Sequence, residues 1–143
     1  MKEGLDLDGV MNILNKRSGM LGLSGISSDF RDIDDAIEDG NEQAKIAKDT
    51  FMHRVVLYIG AYIAAMNGVD AIAFTAGVGE NDPEMRKILM DNFGYLGIKM
   101  DDERNKARRK EEIISADDSK VKVLLVPTNE ELMIARDTEN LIK

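Results

Sequence analysis

The sequence holds no cysteine, no tryptophan, one histidine, two prolines and few aromatic residues in 143 positions. Without cysteine there is no disulfide, no thiolate nucleophile and no cysteine-ligated zinc, which suits a cytoplasmic protein. The lone His53 excludes any site built from several histidines. Positive charge is also short: 19 Lys and Arg stand against 27 Asp and Glu, a net charge of −8. That balance argues against a general nucleic-acid or anionic-membrane surface, so a bound polyphosphate must rely on local donors or a metal. A membrane-spanning stretch is missing as well. The most apolar run, residues 55–66, has twelve members where a bilayer needs roughly 20, and His53 and Arg54 stand beside it. It reads as a buried helix. Residues 1–6 lack the apolar core of an export signal, and the length suits one domain with a real core.

What is present gathers around residues 71–81, Ala-Ile-Ala-Phe-Thr-Ala-Gly-Val-Gly-Glu-Asn. An apolar run of strand formers feeds Gly77 and Gly79, and Asp82-Pro83-Glu84 opens a helix, with Asp82 as N-cap and Pro83 as its first residue. A strand, tight turn and helix N-terminus leave N–H groups unpaired, and glycines let a flat or anionic ligand approach the backbone. An ordinary strand-to-helix turn has the same pattern, since Gly-x-Gly alone is a weak signal.

Residues 7–16 carry apolar side chains at Leu7, Val10, Met11 and Leu14, the spacing of a short amphipathic helix. Residues 18–29 place a glycine every third position, which predicts a loop, and they lack the Gly-Lys-Ser/Thr ending of a phosphate-wrapping P-loop. Ile33, Ala36 and Ile37 mark a short helix, stopped by Asp39-Gly40. Phe30 beside Arg31 offers a flat apolar face next to a planar cation, able to sandwich a purine; a hydrophobic staple with a solvated arginine is the commoner use of such a pair. Asn41 can cap a long helix that runs to Asn67-Gly68 and is apolar on several faces from Phe51 onward.

Met85, Ile88, Leu89 and Phe93 predict one apolar stripe on the helix that follows Pro83. Residues 98–100 and 113–116 read as short strands, residues 101–110 as a charged, solvated helical face, and residues 121–126 as a strand covered on both sides. Pro127 stops it. Thr128 and Glu131 have the spacing of a capping box, which leaves Glu130 free to face bound phosphates and hold Mg²⁺ directly or through water, or merely to favour the helix dipole. If the two strands that precede these helices are parallel neighbours, both helix starts open at one sheet edge, where α/β proteins bind ligands.

Taken together, Leu14-Asn15-Lys16-Arg17-Ser18-Gly19, residues 21–32, Phe74-Thr75-Ala76-Gly77-Val78-Gly79-Glu80-Asn81 and Val126-Pro127-Thr128-Asn129-Glu130-Glu131 resemble the acetate kinases of the actin-like ATPase superfamily in order and spacing. Val78 stands where isoleucine is common. The resemblance covers essentially the whole chain but only the C-terminal third of the family's length. It implies an α/β fold, a partial ribonuclease-H-like domain with a short, mostly parallel sheet, flanking helices and an uncovered edge. It also implies that Asp29, Phe30, Arg31 and Gly77, Val78, Gly79, Glu80 and Asn81 contact ATP or ADP, and that Glu130 helps bind Mg²⁺. The family's phosphoryl-transfer residues lie in the missing part, so no catalytic residue is expected here. The implied function is the nucleotide-side portion of an enzyme that converts ATP and acetate to ADP and acetyl phosphate, inactive alone. Propionate is an open alternative substrate, and an inert dimerisation or nucleotide-binding module is the competing reading. Expected partners are a second copy in a homodimer and a separate N-terminal segment.

Overall fold

The computed structural model describes residues 4–142. The chain divides into two compact units, Met1–Gly60 and Ala61–Lys143.

In the first unit, α1 (Leu7–Lys16) starts at Asp6, whose carboxylate accepts from the Gly9 N–H at 2.8 Å. The glycine-rich segment is not wholly loop. Residues Gly19–Ser24 form a short helix, α2. Its glycines explain it: Gly19 (φ 63°) and Gly25 (φ 70°) supply left-handed backbone at its start and just past its end, where a side chain is strained. Gly22, between them, lies so near the Arg17 carbonyl that a Cβ would come within 2.8 Å of its oxygen. Helix α3 (Phe30–Glu38) buries Ile33 completely. The long helix α4 (Glu42–Met66) begins in the first unit and runs past its Gly60 boundary; it is capped as its sequence predicts, the Asn41 side-chain oxygen accepting from the Ala44 N–H at 3.0 Å. Ala44 and Ala47 are fully buried, and Lys48 bridges Asp34 at 2.6 Å. Leu57 and Tyr58 stay more than half exposed, so part of the apolar surface predicted for this helix has no cover among the described residues.

In the second unit, β1 (Ala71–Phe74), β2 (Glu112–Ile113) and β3 (Lys122–Leu125) form a mixed sheet in the order β1-β3-β2. β1 and β3 are parallel, Phe74 opposite Leu125, and β2 is antiparallel to β3. Among the described residues no strand pairs with the outer edge of β1, and Ala71 and Ala73 are exposed. β3 is less enclosed than its apolar sequence predicts: Val123 and Leu125 are fully buried whereas Lys122 and Leu124 are only half-buried. Alternation of this kind marks a sheet with one well-packed face.

Helix α5 (Ala76–Asn81) and helix α6 (Pro83–Asp91) follow β1. Met85, Leu89, Met90 and Phe93 pack into the core, joined by Ile98, Ile114 and Val121. Ile88, predicted to join them, is 45% exposed, and Arg86 takes the inward position instead. The charged segment 101–110 is not a helical face but a 3-10 turn at Arg104–Lys106 between irregular stretches, with Asn105 buried. Residues 98–100 form no strand beyond a single bridge from Met100 to Ser115. Helix α7 (Glu130–Ile142) closes the described chain and buries none of its residues. Among the described residues no helix is long and apolar enough to cross a membrane.

Candidate nucleotide cleft

The parallel register of β1 and β3 makes both strands end at one edge, and the pairing runs one step further, the Val126 N–H donating to the Phe74 carbonyl at 2.9 Å. The two chains turn away from the sheet side by side. The Thr75 and Thr128 hydroxyls are 3.0 Å apart, and the Ala76 N–H donates to the Thr128 oxygen at 3.2 Å. Between the two turns lies a cleft of about 390 Å³ lined by Ala76, Gly77, Glu80, Thr128, Asn129, Glu130 and Glu131.

The turn after β1 differs from the tight glycine turn that the sequence suggests. Gly77 and Gly79 lie inside α5, and the left-handed residue is Ala76 (φ 59°). The glycines act through their missing side chains. A Cβ on Gly77 would meet no atom within 4 Å, so a side chain there would occupy the cleft, whereas one on Gly79 would touch Phe74 at 3.6 Å. α6 then starts as its sequence predicts, Asp82 accepting from the Met85 N–H at 2.9 Å with Pro83 in the first turn.

The capping box at the second turn does not form. The cap of α7 is Asn129, whose side-chain oxygen accepts from the Leu132 N–H at 3.1 Å. Thr128 is engaged elsewhere: its N–H and its hydroxyl donate to the Glu80 carboxylate at 2.8 and 3.1 Å. Glu80, buried apart from 8% of its surface, therefore ties the two turns together. Its carboxyl is held below the usual glutamate range, first by the Thr128 N–H and, more weakly, by the Thr128 hydroxyl, the Ala76 N–H and the Arg109 charge, against the opposing effect of burial. Glu130 and Glu131 both reach the cleft from the first turn of α7, so the cap does not divide their roles.

Asn81 donates to the Gly77 carbonyl at 2.7 Å and accepts from Arg109 at 3.3 Å. Arg109 itself has left-handed backbone (φ 49°). Val78 is half-buried. Three carboxylates and no cation line the cleft, and among the described residues no group of three or more His, Cys, Asp or Glu is arranged to hold a metal ion.

The triplet Asp29-Phe30-Arg31 belongs to the first unit and is not part of this lining. Asp29 caps α3, accepting from the Arg31 N–H at 2.9 Å, and also binds the Arg31 guanidinium through two bonds of 3.1 and 2.6 Å. The Arg31 side-chain bond, ahead of the backbone one, lowers the Asp29 carboxyl to about 2. Phe30 packs edge-to-face on Phe51 with ring centroids 4.8 Å apart. The Arg31 side chain is 88% exposed and held in place by those bonds to Asp29.

These features define an α/β protein with a polar cleft at the carboxyl edge of two parallel strands. The Acetokinase family model matches residues 1–136, and the chain belongs to that family. It is 58% identical to the acetate kinase of Thermoanaerobacter pseudethanolicus over 99% of this chain and 36% of the relative. The Porphyromonas gingivalis acetate kinase crystal structure superposes with a TM-score of 0.89 at 48% identity, over 99% of this chain and 36% of that one. A propionate kinase from Francisella tularensis gives 0.82 at 36% identity, over 96% and 35%. The chain thus spans little more than a third of the length of these relatives.

Proposed function

We propose that this chain is the nucleotide-side, C-terminal portion of an acetate kinase, a cytoplasmic enzyme in which an acetate oxygen attacks the γ-phosphorus of ATP while the bond to the β–γ bridging oxygen breaks, giving acetyl phosphate and ADP. The observation that carries this reading is the shared edge of β1 and β3, where Gly77 leaves space in a cleft that Glu130 faces. In this reading the backbone of residues 77–81 and the exposed Arg31 contact the nucleotide, with Asp29 orienting Arg31 and Phe30 providing an apolar surface. Glu80 acts from behind, fixing the turn through Thr128.

One carboxylate is enough for Mg²⁺ when phosphate oxygens and waters complete the shell, so Glu130 fits that ion without a protein cage. The ion supplies charge neutralisation for a polyphosphate entering a cleft lined by three carboxylates. Transfer needs stabilisation from several directions, and in this reading those groups lie outside the chain, which is inactive alone. The acyl pocket lies outside it too. The propionate kinase among the structural relatives keeps propionate open as the acceptor. Pairing of two copies, and docking of a separate N-terminal segment, belong to the same proposal.

The test is calorimetric titration of the chain with MgADP. Binding is expected, weakened at least tenfold by Arg31→Ala, by Gly77→Val and by chelating the metal. Absence of heat at millimolar nucleotide, or equal affinity of the variants, overturns the seat. Mixing the chain with the remaining segment of a relative should restore hydroxamate formation from acetate, hydroxylamine and ATP; no activity from a folded mixture favours an inert module.

A further inference from the structure

Arg86 is fully buried, which disfavours its charge, while the nearby Asp82 charge favours it. Its guanidinium is spent on neutral oxygens. Nε donates to the Asn105 side-chain oxygen at 3.0 Å, Nη1 to the Gly79 carbonyl at 2.8 Å, and Nη2 to the carbonyls of Asn105 and Ala107 at 2.5 and 2.8 Å. Asn105 in turn donates to the Pro83 carbonyl at 2.8 Å. A buried charge is costly unless its hydrogen bonds are satisfied, and the full fork of an arginine can satisfy several fixed acceptors at once where a lysine cannot.

The four acceptors are not scattered. One is within α5, one is the buried Asn105 that also holds the start of α6, and the others belong to the turn that leads to Arg109, the residue donating to Asn81. α5 has only six residues and its inner glycines give it little side-chain packing, and a helix so short is marginal by itself. We propose that Arg86, itself held by Asn105, is a positioning residue for the cleft: it fixes the Gly79 carbonyl directly and thereby the orientation of the 77–81 backbone and of Asn81. The role in nucleotide binding rests on the functional reading above; the ordering of α5 does not.

The experiment compares the parent chain with Arg86→Lys and the milder Asn105→Ala. Amide exchange is read by NMR at Glu80, Asn81 and Asp82, the last donating to the Val78 carbonyl at 3.1 Å, and at Val126 and Ile114, whose amides pair within the sheet. At least tenfold faster exchange at residues 80–82 with less than twofold change in the sheet is expected for either variant. Equal acceleration everywhere, or none at residues 80–82, overturns the proposal. MgADP affinity measured on the same samples should fall at least tenfold; unchanged affinity with loosened α5 would overturn the positioning role in binding. A parent chain that binds no MgADP would sink the nucleotide reading while the exchange pattern still decides what Arg86 orders.

Discussion

At the residue scale the cleft depends on side chains whose partners set what they can do. Glu80 sits in the nucleotide-binding signature that the family resemblance supplies, yet its carboxylate is occupied by the N–H and hydroxyl of Thr128. Its folded pKa lies below the ordinary glutamate value of 4.5, so the unfolded chain holds the proton more readily. The stability it contributes is therefore fully present above that ordinary value and fades as pH falls through the lower, folded one. Glu80→Gln should lower the urea midpoint at neutral pH and flatten its decline from about pH 4.5 downward. Urea titrations of both proteins from pH 7 to pH 3 check this; parallel curves would mean that the carboxylate's charge is not what Thr128 reads. Asp29, held at about 2, keeps its charge beside Arg31 until the pH falls to that region.

At the element scale, helix ends were far more legible than what the helices face. Asn41 and Asp82 each accept the bond that their position predicts, because a cap is decided by a few consecutive residues; Asp6 caps α1 in the same way, without having been singled out in the sequence. Asn41→Ala should destabilise α4 by about 1 kcal/mol, seen as a lower urea midpoint with unchanged slope. No change would show that tertiary packing of Ala44 and Ala47 holds the helix start without its cap. Thr128 has equally good local credentials as a cap, but the approach of Glu80, 48 positions away in sequence, claims its hydroxyl, and no local pattern contains that competition. Arg86 escaped for a different reason. Residues 85, 86, 89, 90 and 93 share one helical face, so the spacing was readable. A charge on that face has no local explanation, and only the oxygens converging from residues 79, 105 and 107 account for its burial. Likewise the glycines at 77 and 79 marked the site while hiding its geometry, since an alanine carries the positive φ and the turn is a helix.

At the scale of the whole molecule, the chain spans 36% of the length of one relative and exposes both a strand edge and an apolar helix surface among its described residues. The carbonyls of Asp70 and Phe74 bond to β3, and strand alternation therefore turns the backbone groups of Ala71 and Ala73 to the open edge. An unpaired edge of this kind invites another strand. On α7, Leu132, Met133 and Ile134 are exposed, and Leu141 and Ile142 are 87% and 80% exposed. If the remaining segment of a family member completes this fold, it should cover that edge. Amide exchange at Ala71 and Ala73 should then slow at least tenfold when the segment is added, while Ile114, already paired to Val123, changes little. Slow exchange in the chain alone that speeds up as the protein is diluted would instead assign the edge to a second copy. Fast exchange in both the chain and the mixture would mean that neither occupant pairs with β1, and the split-enzyme reading would have to find its contact elsewhere.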